Sequence, residues 1–314
     1  MNAKISVLMS IYKEPIEWIK QSIRSILNQT YKNLEIVLIS DNPESSELTD
    51  YLKEVEQNDS RVVVSLNEEN IGLVASLNRG LKICTGEYVA RMDADDISLP
   101  NRIEKQLAFM TERNYDLVGC QFYVFNNDTD LYKSEAPIYN DACQIVLKYK
   151  SCIAHPSWLV KKSVYDKLNG YRNIDACEDL DFLQRVVFTG CKVGNCPEIL
   201  LRYRDNQNSI SHKKEYRQMA IRRIMARALY KNEILSEETY QAYLLSDRYQ
   251  SDAKKFEIIA KLDNSFKSEK NGIKKGRDLI RLLIEPIYVE EKIWNLKINR
   301  AIQRERASNE KCIN

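Results

Sequence analysis

The chain has 314 residues, of which 44% are apolar and 29% charged, with 47 basic against 45 acidic side chains. That is an ordinary globular composition, long enough for one large core plus an appendage or for two domains. No run approaches the roughly 18 apolar residues of a membrane span, and no signal-peptide pattern precedes the strand-like start at Ile5, so a cytoplasmic protein is expected.

Eight cysteines are scattered without a Cys-x-x-Cys pair, and two histidines are too few to complete a zinc site. Free thiols in a reducing compartment follow. Charge is uneven along the chain: residues 1–212 carry 24 Lys+Arg against 30 Asp+Glu, and residues 213–314 carry 23 against 15, so −6 is followed by +8. The two parts face different partners.

Ile5 to Ile11 is a nearly continuous apolar run, the pattern of a strand covered on both faces. Tyr12 to Pro15 breaks it, and Ile16, Ile19, Ile23, Ile26 and Leu27 then recur at helical spacing. A second strand, Leu34 to Ile39, ends in Ser40-Asp41-Asn42-Pro43, with Pro43 suited to the first position of a helix reaching about Gln57. A third strand from Arg61 to Leu66 leads through Asn67 and Asn70 into a helix over Leu73 to Ile83. Strands alternating with helices every 25 to 30 residues or so predict parallel crossovers and a doubly wound α/β sheet. Its ligand lies beyond the carboxyl ends of the strands. Those ends carry Tyr12 and Glu14, Ser40 and Asp41, Asn67 and Asn70, and Asp93 and Asp95.

The fourth strand, around Tyr88 to Met92, stops at Asp93, Asp95 and Asp96, and Pro100 opens another helical pattern. Carboxylates crowded at a strand end repel one another, an arrangement best explained by Mg²⁺ or Mn²⁺, which take oxygen ligands and bridge carboxylates to phosphates. A solvated acidic turn near a helix N-terminus has the same pattern. Neither a Gly-x-Gly-x-x-Gly nor a Walker-type glycine loop is present, so phosphates need another means of neutralisation. Asp41 either accepts a hydrogen bond from a nucleobase or bonds its own turn.

Ser6 to Tyr12, Asp41, Asn70-Ile-Gly72 with Asn78-Arg-Gly80, Thr85 to Val89, and Met92-Asp-Ala-Asp-Asp96 together resemble the family 2 glycosyltransferases over roughly residues 3–212. It is most similar to bacterial members that build capsule, exopolysaccharide or O-antigen units. The resemblance implies the GT-A fold, a mostly parallel doubly wound sheet, with a C-terminal helical appendage. It implies a catalytic domain over 1–212, whose 1–100 half binds nucleotide and 101–212 half binds acceptor, and a helical region over 213–314. It further implies inverting, metal-dependent transfer. On that basis Asp95 and Asp93 ligate Mn²⁺ or Mg²⁺, with His212 completing the shell. Ser10, Tyr12, Glu14, Asp41, Asn70, Asn78, Arg91, Asp93 and Arg204 line the nucleotide-sugar site. Where the family commonly has Asp-Asp-Gly-Ser, this chain has Ser40-Asp41-Asn42-Pro43 and keeps only the second carboxylate.

Further on, Ile103, Leu107 and Met110 share a helix face, Asp116 to Phe125 reads as a strand, 126–130 as a turn, and 139–150 as helix. His155 and Trp158 are acceptor-side candidates by resemblance, Trp158 offering a ring face to a sugar; a structural histidine is the alternative. Glu178 and Asp179 open a helix whose Leu180, Leu183, Val186 and Val187 form the buried face. Acids there suit the helix dipole. The family's Glu-Asp motif makes Asp179 the general base that takes the acceptor's proton, with Glu178 beside it. Pro197 to Tyr203 gives a last strand.

In the C-terminal region Lys274, Lys275, Arg277 and Arg281 alternate with Ile273, Leu279, Ile280, Leu282, Leu283 and Ile284. A basic amphipathic segment of this kind suits the inner face of the plasma membrane or packing on a sister subunit; nucleic acid is not expected. The reading is transfer of a hexosyl or N-acetylhexosaminyl group from a nucleotide-diphospho-sugar, UDP-linked, to a glycan or lipid-linked glycan acceptor. The alternatives are a sugar-nucleotide pyrophosphorylase, against which the missing glycine- and lysine-rich loop counts, and a non-catalytic binding scaffold.

Overall fold

A computed structural model describes residues 2–126, 129–174, 176–206, 215–269 and 272–313. The chain divides into two compact units. The first comprises Met1–Cys143, Ser151–Asn173 and Phe182–Asn206, the second Gln144–Lys150, Ile174–Asp181 and Gln207–Asn314.

The first unit begins as the hydropathy pattern predicts: β1 (Ile5–Ile11), α1 (Ile16–Leu27), β2 (Leu34–Ser40), α2 (Ser46–Asn58), β3 (Val62–Leu66), α3 (Leu73–Ile83) and β4 (Tyr88–Asp93). β1 pairs in parallel with both β2 and β4, and β2 with β3. Every residue of β2 is buried, and β1 leaves only Ser10 partly exposed, as strands covered by helices on both faces require. Gly80 lets α3 lie against the sheet, because a Cβ there would sit 2.2 Å from Leu8 Cδ1. α2 starts three residues beyond Pro43: the Ser45 hydroxyl accepts the Leu48 N–H at 3.2 Å and fixes the helix start there.

Beyond β4 the chain adds β5 (Ile97–Ser98), α4 (Arg102–Glu112), β6 (Leu117–Asn126), β7 (Thr129–Lys133), α5 (Asn140–Leu147), a 3₁₀ turn at His155–Ser157, β8 (Leu159–Lys161), α6 (Lys162–Leu168), α7 (Glu178–Phe188) and β9 (Val193–Arg204). The sheet order is β3-β2-β1-β4-β8-β6-β9-β5, with β7 on β6. β8 is antiparallel to β4 and β6, so the sheet is mixed in its second half. β9 carries Pro197, and the β6–β9 register shifts next to it, the local irregularity that a residue without an N–H requires. The first turn of α7 falls in the second unit and the remainder in the first.

The rest of the second unit is helical: α8 (Glu215–Tyr230), α9 (Glu237–Leu244), α10 (Asp247–Ser268), α11 (Gly272–Leu283) and α12 (Pro286–Ile313). Ser236 and Ser246 cap α9 and α10 by accepting the N–H groups of Thr239 and Tyr249. Tyr240, Tyr249, Phe256, Leu282 and Ile298 are buried in its core. Arg223 and Arg227 clamp Glu290 at 2.8 and 2.9 Å, joining α8 to α12. Among the described residues no helix is long and apolar enough to cross a membrane.

Candidate active site

The parallel strands β1, β2 and β4 end together, and register places Ser10 beside Asp93 on one side and Ile39 on the other. At the end of β4 and in the turn after it, oxygens of Asp93, Asp95 and Asp96 all lie within 4.8 Å of one another. Burial pushes the Asp95 carboxyl up to about 6, with the Asp93 charge adding to the effect. Asp96 is 1% exposed and is raised well above the carboxylate range by burial, then by Asp95 and Asp93. Glu14 is raised in the same direction by burial, with contributions from Asp95 and Asp93. The Tyr12 N–H donates to Glu14 Oε2 at 2.8 Å, and the Tyr12 ring is half-exposed.

The acidic loop is held from several sides. Arg91, buried below it, forms an ion pair with Asp93. Burial alone would lower the Arg91 pKa, but the charge of Asp93, the hydrogen bond to it and the nearby Tyr171 and Asp96 together outweigh burial and raise it. Ser22 Oγ donates to the Asp93 carbonyl at 2.8 Å, and Asn206 Nδ2 to Asp95 Oδ2 at 3.1 Å. Arg204 supplies its backbone N–H to Asp96 Oδ1 at 2.8 Å and its Nε to the Asp95 carbonyl at 2.7 Å. Asp96 Oδ2 is buried and without a hydrogen-bond partner. An all-oxygen donor set whose charges are only partly compensated, with one orphaned carboxylate oxygen, fits a hard divalent cation.

A polar stripe on α1 sets the path of this loop. Ser25 Oγ accepts the Ser98 N–H at 3.0 Å, while Gln29 donates to Ser98 Oγ at 3.0 Å and to the Leu99 carbonyl at 2.8 Å. Gln29 Oε1 accepts from Ile103 N at 3.2 Å. Arg102 is fully buried and donates to the Pro156 carbonyl at 2.7 Å and the Arg91 carbonyl at 3.1 Å, burial lowering its pKa to about 10.

Six residues that the sequence assigns to the site, Asp41, Asn70, Asn78, Arg204, Trp158 and His155, have polar groups engaged by the protein itself. Asp41, expected at the base, is 2% exposed and its carboxylate is saturated. Oδ1 accepts from Asn67 Nδ2 at 2.7 Å and Ile71 N at 2.9 Å; Oδ2 accepts from Gly72 N at 2.9 Å and Asn70 Nδ2 at 3.1 Å. Four donors occupy the roughly four acceptor sites of a carboxylate, so Asp41 and Asn70 organise the loop from β3 to α3. Asn78 is likewise structural: its amide bonds both the carbonyl and the N–H of Tyr171, at 2.8 and 2.9 Å.

Arg204, expected at phosphate, packs over the rings of Trp18 and Phe125 at 4.5 and 4.4 Å and donates to Gln21 Oε1 at 2.9 Å. It is a clamp on the acidic loop. Trp158 is fully buried, stacked on Phe182 at 5.6 Å, its indole N–H bonded to the Ile153 carbonyl, so it offers no face to a sugar. His155 belongs to the same aromatic cluster: its Nε2 lies 2.9 Å from the Tyr171 hydroxyl, and burial, then Arg91, holds its pKa well below the usual value.

Glu178 and Asp179 stand half-buried in the first turn of α7, while Asp181 is buried. His212 lies outside the described residues. Sequence reading missed Ser22, Ser25 and Gln29. Their i, i+3, i+7 spacing on α1 was the available signal, overshadowed by the apolar face beside it.

The Glycosyl transferase family 2 domain matches residues 6–168. The chain therefore belongs to glycosyltransferase family 2. It is 33% identical over 208 residues to the O-antigen biosynthesis glycosyltransferase WbnJ of Escherichia coli, a match covering 65% of this chain and 81% of that protein. Among solved structures it resembles the mannosyltransferase PcManGT of Pyrobaculum calidifontis in complex with GDP-Man and Mn²⁺, with a TM-score of 0.58 and 13% identity over 97% of this chain and 87% of the other. It also resembles S. aureus TarS in complex with UDP-GlcNAc, with a TM-score of 0.58 and 15% identity over 98% and 92% of the two chains. These likenesses establish the GT-A fold.

Proposed function

We propose that the chain is an inverting, metal-dependent transferase that moves a hexosyl or N-acetylhexosaminyl group from a UDP-linked sugar to a hydroxyl of a bacterial surface-glycan precursor. The observation that carries this reading is the acid trio beyond β4, with its raised Asp95 and the orphaned oxygen of Asp96. WbnJ's role in O-antigen synthesis and the UDP-GlcNAc bound to TarS support the acceptor class and the donor.

Residues 1–212 form the catalytic domain, with nucleotide held by the 1–100 half and acceptor by the 101–212 half, and 213–314 form a helical region. Asp95 and Asp93 hold Mn²⁺ or Mg²⁺, with His212 as a further ligand. When bound, that cation screens the diphosphate and stabilises charge on the departing nucleotide. Arg91 orients the Asp93 carboxylate, and Arg204 holds the Asp95 carbonyl and the Asp96 carboxylate. Ser10, Tyr12 and Glu14 border the donor. Asp179 takes the proton of the acceptor hydroxyl, with Glu178 beside it, as that oxygen attacks the anomeric carbon opposite the leaving diphosphate. The sugar-to-phosphate C–O bond breaks with its electron pair on the nucleotide, and an α-linked donor yields a β-linked product.

A thermal-shift screen of nucleotide-sugars tests this, since a ligand at 100 times its Kd adds about 2.7 kcal/mol of apparent stability. The expected result is a rise in midpoint that needs both a UDP-sugar and Mn²⁺. No shift with any nucleotide, or release of pyrophosphate from a nucleoside triphosphate and a sugar phosphate, would overturn it.

A further inference from the structure

We propose that the outward face of α11, with the turn after it, is a docking surface for an anionic lipid bilayer. The acid of this helix, Asp278, is buried and accepts a hydrogen bond from Ser265 Oγ at 3.3 Å. The side away from Asp278 carries Arg277, Ile280, Arg281 and Leu283, joined by Ile284, whose N–H continues the last turn to the Ile280 carbonyl at 3.1 Å. At about 100° per residue these five side chains fall within one arc of roughly 160°. Ile280 is 64% exposed, Leu283 55% and Ile284 72%. Lys274 extends the basic rim and is paired with Glu269. Among the described residues neither Arg277 nor Arg281 is in an ion pair.

Three contiguous aliphatic side chains in water mark a surface that something covers, and the interleaved cations decide what. A second copy meeting the same face about a two-fold axis would bring Arg277 and Arg281 against their own counterparts. A nucleic acid backbone matches the guanidinium groups and leaves Ile280, Leu283 and Ile284 wet. An anionic bilayer satisfies both sets: the aliphatic groups enter the boundary between headgroups and acyl chains, and the guanidinium groups stay at headgroup level. The +8 balance of residues 213–314, from 23 basic and 15 acidic side chains, adds attraction over a Debye length. This inference is independent of the transfer chemistry.

Co-sedimentation of the full chain with phosphatidylcholine vesicles, with and without phosphatidylglycerol, tests it. The wild type is expected to bind only the phosphatidylglycerol vesicles and to release them at high salt. Each basic side chain near such a surface contributes about fivefold in partitioning, so Arg277→Gln with Arg281→Gln lowers it by about 25-fold. Ile280→Ser with Ile284→Ser, which leaves the charge unchanged, lowers it by roughly tenfold or more. All four positions are solvent-facing, and an unchanged melting midpoint certifies the fold of each variant. Equal binding by variants and wild type overturns the proposal. So does wild-type binding that ignores phosphatidylglycerol, or a solution dimer that the Ile280→Ser, Ile284→Ser variant dissociates.

Discussion

Replacing Asp41 by Asn separates two roles for a residue at the carboxyl end of β2. Ile71 N and Gly72 N donate to different oxygens of Asp41, each accompanied by an asparagine side-chain amide. Whichever way the new amide sits, one backbone N–H and one side-chain NH₂ face another donor. Asn67 cannot flip to compensate, because its Oδ1 already accepts from Arg79 Nη1 at 2.7 Å. A hydrogen bond to a charged acceptor contributes about 1.5–3 kcal/mol, so the loop over 67–72 should lose about 2–4 kcal/mol of local stability. Hydrogen exchange followed by mass spectrometry reads that loss at the segment itself, as exchange faster by roughly 30-fold or more. Unchanged exchange, together with a loss of discrimination among nucleobases, would return Asp41 to the base.

Three further expectations rest on buried contacts. Glu35 is held at about 2: burial alone would raise its pKa, but hydrogen bonds from Ser6, Thr85 and Lys4 outweigh it. A folded pKa below the unfolded one gives stability that is present above pH 4.5 or so and is lost as pH falls toward 2, so Glu35→Gln should cost about 2 kcal/mol at neutral pH and little at the acid end. Urea midpoints across that range check it, and a pH-independent difference would contradict it. Trp158→Phe should lower the melting midpoint through the lost indole bond and a cavity, by about 1–3 kcal/mol, with acceptor KM unchanged; a raised KM at full stability would point to a sugar platform. Arg204→Gln should weaken Mn²⁺ binding by releasing the Asp95 carbonyl that its Nε now holds, as measured by titration. Intact Mn²⁺ affinity with reduced affinity for the diphosphate would make Arg204 a phosphate ligand instead.

Hydrophobic period was enough to place β1 to β4 and α1 to α3, because strands buried on both faces leave continuous apolar runs that sequence displays directly. The acid trio is equally visible as letters, although a solvated acidic turn at a helix N-terminus shares them and only the structure brings the three carboxylates within 4.8 Å of one another. What stayed hidden depends on side chains meeting across long separations. Arg204 reaches Asp95 over 109 positions, and Asn78 reaches Tyr171 over 93. A polar residue near a site reads as a ligand contact until its partners are known, which is why the sequence places Asn78 and Arg204 at the ligand and leaves Asp41 between ligand and turn, while their side chains are bonded within the protein. β5 and β8, of two and three residues, are too short to carry a period. Trp158 is ambiguous for a related reason: a tryptophan beside a cleft has the same letters whether its ring faces a sugar or Phe182.

Whether Asp93 and Asp95 join a divalent cation to the nucleotide is read directly from the free Mn²⁺ spectrum by electron paramagnetic resonance as protein and UDP are added. Wild type is expected to deplete the free-ion signal, UDP to deepen the depletion, and Asp95→Asn to abolish both while remaining folded. Undiminished depletion by Asp95→Asn, or UDP bound as tightly in EDTA as in Mn²⁺, would contradict it.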